Sequence, residues 1–272
     1  MWNGVVYVSS SGNGRLYAFG AATGTQLWTT LLSAGPVNPP TMQNGLIYVA
    51  NEGGSNPGIY ALDAVTGAKI WDAAIATPQA LQAPAVANEI VYVGGDPPTN
   101  TVFAYDAVSG ALMWSAAAAI DRSATVANEL VYWGNSSGVI RALDAISGKS
   151  AWTRLTAPTS GTVGSSPVMA DGTLYVAASN KIFALDGSTG KPVWSTSLSG
   201  TVFSASPAVA NGVVFVCFDS STAGVVQALD AAKGTLLWSG TLPLNEEFSS
   251  PVVTHGVLCV GGSSGLHAYR LP

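Results

Sequence analysis

Apolar residues along the chain gather in short runs, and no helix-length window repeats them at the 3.6-residue period of an amphipathic helix. Stretches such as "LIYVA" (46–50), "IVYVGG" (90–95) and "VVFVC" (213–217) are unbroken. Unbroken runs of strand length imply burial on both faces, as in sheets packed face to face. A sandwich with one wet face would alternate more cleanly. The pattern predicts an all-β chain of many short strands and turns.

The segment "ALDAVTGAKIW" (61–71) is repeated along the chain. It returns as "YAFGAATGTQLW" (17–28), "FAYDAVSGALMW" (103–114), "RALDAISGKSAW" (141–152), "FALDGSTGKPVW" (183–194) and "QALDAAKGTLLW" (227–238). A seventh start, "HAYRLP" (267–272), stops where the turn would begin. Successive Trp residues fall roughly 38 to 44 positions apart, the period of a propeller blade or similar unit. Each repeat resolves into four segments, in the fifth copy "SSPVMA" (165–170), "TLYVAAS" (173–179), "KIFALD" (181–186) and "KPVWSTS" (191–197). Seven segments of types two and three and six of types one and four predict a single domain, 1–272, folded as a seven-bladed β-propeller. Its antiparallel blades are four-stranded, the first lacking its innermost strand and the last its outermost. The blades fall at about 1–31, 32–74, 75–117, 118–155, 156–197, 198–241 and 242–272. Such ends fit an excised piece of a longer protein or a wheel closed by side-chain packing, with an open inner edge that could recruit a strand.

Turn chemistry agrees with this scheme. Between strands one and two stand Asn44-Gly45, Asn88-Glu89, Asn128-Glu129, Asp171-Gly172, Asn211-Gly212 and His255-Gly256, mostly pairs that tolerate positive φ in a two-residue hairpin. His255 therefore fills a turn slot, and His267 takes a packing or rim slot held by Tyr60 or Phe103 in sister repeats. Asp63, Asp106, Asp144, Asp186 and Asp230 each precede a tight turn, where a carboxylate accepts backbone N–H bonds and a nearby Gly supplies the unusual φ. Trp28, Trp71, Trp114, Trp152, Trp194 and Trp238 follow as anchors between neighbouring blades. Recurrence in so many copies makes these residues structural, and no catalytic residue is assigned.

Composition narrows the partners. The net charge of -5 comes from few, thinly spread charges, with no basic block to neutralise a row of phosphates, so nucleic acid is not an expected partner. No apolar stretch reaches the roughly 18 to 20 residues that span a bilayer, and the amino end has no charged-then-apolar signal pattern. Cys217 and Cys259 sit inside apolar strands with no CxxC and no neighbouring His, and read as two buried free thiols in preference to a disulfide or metal site.

The pattern A-x-D-x-x-T-G-x-x-x-W resembles the tryptophan-docking motif of the quinoprotein-type (PQQ-like) β-propellers, and six copies span nearly the whole chain. Departures are Gly20 in the Asp slot of the first copy, Lys233 for Thr in the sixth and Arg270 for Asp in the last. The family includes pyrroloquinoline quinone dehydrogenases, sensor or surface domains that bind no quinone, and the lipoprotein propeller of the bacterial outer-membrane barrel assembly machinery. The resemblance implies an extracytoplasmic protein, periplasmic or at the cell surface. The dehydrogenases it resembles are longer and commonly use adjacent cysteines with Ca²⁺ held by acidic and amide side chains. Cys217 and Cys259 are far apart, and no acidic cluster looks like a Ca²⁺ loop. No cofactor is expected, PQQ with calcium belonging only to the alternative of a PQQ-dependent dehydrogenase or a fragment of one.

In an up-and-down blade the one-two and three-four turns share one face, while the two-three turns and crossovers share the other. The long segments fall on the second face: 51–58, 94–100 and 219–224, with crossovers 33–40, 75–84, 118–124, 156–167 and 242–251. Loops on a rigid scaffold are where binding usually resides. The crossovers ring the axial funnel, so Asn38, Gln79, Gln82, Asp121, Arg122, Glu246, Glu247 and Phe248 are the candidate ligand-binding residues, with solvated loop residues as the competing reading. Trp133 reads as blade packing, with a funnel-facing aromatic as the competitor. The expected function is a non-catalytic binding or scaffold propeller for a protein, peptide or small ligand. A structural repeat without ligand is the other alternative.

Overall fold

The computed structural model describes residues 1–32, 35–52, 57–75, 81–95, 100–118, 120, 122–156, 165–202, 205–243 and 248–270. These residues form antiparallel sheets and no helix. Seven sheets follow one another in chain order as the blades of a seven-bladed β-propeller. The chain divides into two compact units, residues 1–126 with 147–149 and residues 127–146 with 150–272.

The first unit holds three sheets. The first joins β1 (Val5–Ser9), β2 (Arg15–Gly20) and β3 (Gln26–Leu31). The second joins β4 (Thr41–Gln43), β5 (Leu46–Asn51), β6 (Gly58–Asp63) and β7 (Lys69–Ala74). The third joins β8 (Ala85–Ala87), β9 (Ile90–Gly95), β10 (Thr101–Asp106) and β11 (Leu112–Ala117). Leu16, Ile47, Val49, Tyr60 and Leu62 pack together between the first two sheets, and Ile59, Trp71, Val91, Val93 and Tyr105 between the second and third.

In the second unit, the fourth sheet comprises β12 (Thr125–Ala127), β13 (Leu130–Gly134), β14 (Val139–Asp144) and β15 (Ser150–Leu155). The fifth comprises β16 (Val168–Ala170), β17 (Thr173–Ala178), β18 (Lys181–Asp186) and β19 (Pro192–Ser197). The sixth has five strands: β20 (Gly200–Thr201), β21 (Ala208–Ala210), β22 (Val213–Ser220), β23 (Gly224–Asp230) and β24 (Leu236–Leu242). The seventh has three: β25 (Val252–Thr254), β26 (Val257–Gly262) and β27 (Gly265–Arg270).

Burial follows strand position. Strand two is nearly wholly buried, as in β5, because sheets cover both its faces, whereas the outer strands β11, β15 and β19 alternate exposed and half-buried positions. The one-two turns carry the anticipated positive φ on both residues, from 51° and 78° at Asn44-Gly45 to 46° and 74° at His255-Gly256.

Two features differ from the sequence reading. Strand one is three residues long, β16 beginning only after Pro167, whose ring nitrogen has no hydrogen to give a ladder. The segment 219–224, expected as a long loop, is half strand, since β22 runs to Ser220, β23 resumes at Gly224, and Gly200-Thr201 pairs with the end of β22.

Candidate functional site

The repeated residues meet at the junction of neighbouring sheets. In the second sheet, Tyr48 on β5 and Trp71 on β7 lie with ring centroids 6.0 Å apart. Both reach the third sheet and donate to one acceptor, the Ala107 carbonyl, at 3.1 Å from Tyr48 Oη and 2.9 Å from Trp71 Nε1. The arrangement recurs with Tyr7 and Trp28 on Ala64, Tyr132 and Trp152 on Gly187, and Tyr175 and Trp194 on Ala231. A carbonyl oxygen has two lone pairs, so one acceptor satisfies both buried donors. Burial pushes the Tyr48 and Tyr132 hydroxyls up to about 12, nearby carboxylates adding to the shift.

The turn after strand three completes the junction. Asp63 Oδ1 accepts from Val65 N at 3.0 Å, Thr66 N at 2.7 Å and Thr66 Oγ1 at 2.8 Å. Asp106 and Asp186 are bonded in the same way by Ser109 and Thr189. These hydroxyls hold the three carboxyls below their usual value, with the backbone N–H groups adding to it. Asp230 accepts only backbone N–H groups, at 3.0 and 2.8 Å, because Lys233 stands in the hydroxyl slot. The Gly that follows has positive φ and lies flat under the preceding indole, so a Cβ on Gly110 would come within 2.6 Å of the Trp71 ring. Bulging of the three-four pair accompanies every turn, as between Ala184 and Leu185.

Among the funnel candidates, Asn38 and Gln82 occupy one slot in successive sheets. Asn38 N bonds the Ala50 carbonyl and Gln82 N the Gly94 carbonyl. Asn38 Nδ2 also donates to the Leu81 carbonyl at 2.5 Å, which joins the two crossovers. The same slot holds Arg122, Ser165 and Ser249, and Ser165 Oγ and Ser249 Oγ accept from Ala177 N and Gly261 N. One residue on, Ser250 Oγ accepts from Ser206 N and Ser206 Oγ from Ser166 N, a hydroxyl chain linking three crossovers of the second unit. Nothing in the sequence reading anticipated this chain, although a Ser before Pro in all three copies carries it.

Phe248, expected to face a ligand, is 8% exposed and packs with Val226, Leu242, Leu258 and Val260. It lies over Gly224, whose missing side chain leaves it room. Trp133 is also buried, in agreement with blade packing. Gln79, Asp121, Glu246 and Glu247 lie outside the described residues. Cys217 and Cys259 are free, and burial pushes the Cys217 thiol up to about 12. Among the described residues no three His, Cys, Asp or Glu side chains come together to hold a metal.

The incomplete sheets carry two further hollows. One of about 330 Å³ beside β1 is lined by Trp2, Tyr7, Pro40 and Met42. The other, about 310 Å³, lies in the second unit against Phe215, Leu237, Trp238, Tyr269 and Arg270.

Sheets joined by an indole and a tyrosyl hydroxyl on one carbonyl, behind a carboxylate-capped turn, define a PQQ-like propeller repeat. The family model described as "Outer membrane protein assembly factor BamB" matches residues 2–80, 55–169 and 136–271, and the chain belongs to that family. Among solved structures it is similar to BamB from Moraxella catarrhalis, with 21% identity over 98% of this chain and 82% of that one and a TM-score of 0.80. A europium-containing methanol dehydrogenase is 16% identical over 99% of this chain and 75% of its own, TM-score 0.82. The quinohemoprotein alcohol dehydrogenase from Comamonas testosteroni is 16% identical over 98% and 64%, TM-score 0.76. These likenesses are of fold. No curated protein sequence matches the chain.

Proposed function

We propose that the chain is a binding or scaffold propeller that holds a protein or peptide on its crossover and two-three loops. The observation that carries the reading is the family match along the whole chain to a model described by an assembly factor. It is supported by the use of the repeat's own polar groups: the Asp carboxylates are engaged by their turns and the indoles by neighbouring sheets. The irregular segments carry Gln82 and Arg122, while the net charge of -5 gives no attraction for nucleic acid. The same kinship supports a place in the bacterial envelope, in the periplasm or at the surface. No helix among the described residues is long and apolar enough to cross a membrane.

Photo-cross-linkers at Gln82 and Arg122, with one on the outer strand at Ile70 as control, test this in cells of the source organism. Adducts at the loop positions that disappear when 94–100 is shortened support it. Equal labelling from Ile70, or none from the loops, overturns it. The dehydrogenase likeness favours a second reading. It predicts dye reduction with alcohols once PQQ and calcium are added, and no reduction removes it.

A further inference from the structure

We propose that the fourth sheet binds a small monovalent anion, of the size of chloride or formate, between the indole N–H of Trp133 and the guanidinium of Arg141. The inference goes beyond the scaffold reading and does not rest on it, so either can fail alone.

The sister sheets supply the comparison. Trp133 on β13 stands directly across from Arg141 on β14. The same pair of positions holds Val49 and Tyr60, Val93 and Phe103, Val176 and Phe183, and Val216 and Gln227. The strand-two member is buried in all five sheets, Trp133 being 1% exposed. A Val on strand two beside a larger side chain on strand three is the common filling. The fourth sheet inverts it, placing the large ring on strand two and a cation next to it. Trp133 Nε1 and Arg141 Nε are both buried, and neither has a hydrogen-bond partner. Among the described residues no carboxylate forms an ion pair with Arg141.

Two donors therefore meet without an acceptor. Indole and guanidinium nitrogens only donate, so neither satisfies the other. Side chains directly across a ladder have Cβ atoms about 4.5 to 5.5 Å apart, which lets one group reach both. The flanking pair on the same face is Val131 and Leu143, both buried and without a polar atom in the side chain. Asn135, two residues on from Trp133, already uses its Oδ1 to accept from Ser137 N and Val139 N, at 3.0 and 2.9 Å. A buried donor without an acceptor carries the full cost of its lost hydration. Water could accept from the pair, but its own hydrogens would then point into apolar surroundings and the guanidinium charge would stay uncompensated. An anion accepts from both groups, brings no donor and neutralises the charge. Entry is along the row that crosses the sheet from Trp133, buried, through Arg141, half-buried, to Thr153, exposed. The depth of Trp133 restricts the occupant to an ion of one or a few atoms.

The test is a titration of the whole isotope-labelled chain with sodium chloride, and separately with sodium formate, at an ionic strength held constant with sodium gluconate, whose anion is too large for a buried site. The eight indole N–H resonances are followed by proton–nitrogen correlation NMR, that of Trp133 being the one missing from Trp133→Phe. It should shift saturably with a midpoint in the millimolar range while the other indoles stay in place. Arg141→Gln, which removes the charge, should raise that midpoint about 10-fold, the worth of one hydrogen bond to a charged group. Should Trp133→Phe fail to fold, Arg141→Gln at its half-buried position carries the test: a single indole resonance should respond in the parent chain and need that much more anion in the variant. No saturable shift of any indole resonance, a responding resonance that persists in Trp133→Phe, or a midpoint unchanged by Arg141→Gln overturns the proposal.

Discussion

Tyr48 and Trp71 share one acceptor, the carbonyl of Ala107, at 3.1 and 2.9 Å. Tyr48→Phe removes one donor and leaves the other bond and the ring packing in place, so it should cost about 1 kcal/mol in urea unfolding. Tyr48→Phe combined with Trp71→Phe should be non-additive, because the second loss strands the buried carbonyl. Additive losses would mean that the two bonds act independently.

Gly110 admits no side chain, for its φ is +72° and a Cβ would meet the Trp71 ring at 2.6 Å. Gly110→Ala should therefore destabilise the protein by about 2 to 4 kcal/mol, the sum of left-handed strain and displacement of the indole. Gly24→Ala, at φ +67° with nothing within 4 Å, should cost only the strain, about 1 to 2 kcal/mol. Thermal unfolding of the two variants separates the steric part from the backbone part.

Acid should loosen the three-four turns. Asp63, Asp106 and Asp186 titrate below the ordinary 3.8, chiefly because Thr66, Ser109 and Thr189 donate to their ionised forms. A folded value below the unfolded one adds stability above 3.8 that is lost as pH falls through the folded value. Thr66→Val should return the Asp63 titration towards 3.8, as followed by carboxyl NMR, and leave Asp186 unchanged.

Alkali acts with the opposite sign. Tyr48 and Tyr132 are raised to about 12 from 10.0, so their neutral, hydrogen-bonded forms contribute stability that is complete below pH 10 and declines as pH rises towards 12. Tyr48→Phe should flatten this decline in a pH series of urea midpoints.

Glu129 sits at φ 62° in the turn after Asn128, where the sister turns other than Asn88-Glu89 have Gly. Glu129→Gly keeps the backbone bond its carbonyl accepts from Ala145 N and removes the left-handed strain. A gain of about 0.5 to 1 kcal/mol is expected, the strain relieved less the greater chain entropy of Gly.

Much of this was legible in the sequence because repetition turns weak local signals into strong ones. "KIFALD" was read as 181–186 and β18 has those bounds, since the turn pairs on either side fix its ends. A Gly shortly after the Asp reads as the turn residue with unusual φ, and Gly67, Gly110 and Gly190, each four places on, have positive φ. The Tyr of strand two was missed, although Tyr7, Tyr48, Tyr92, Tyr132 and Tyr175 hold one slot and Phe215 and Cys259 break the series. A tyrosine within an apolar run looks like packing until the acceptor of its hydroxyl, some 55 to 59 residues away, is known. The burial of Phe248 is hidden for the converse reason: a loop position does not reveal that Gly224 opposite leaves a hole for the ring.

The central claim is that each indole is held by the sheet that follows it, and that Trp238, the one exposed indole of the six, is held less completely. Urea unfolding of Trp71→Ala beside Trp238→Ala tests it most directly, since Trp71 is 9% exposed and Trp238 38%. Losses of about 3 to 5 kcal/mol at Trp71 and less than half of that at Trp238 are predicted. Equal losses at the two positions would contradict it.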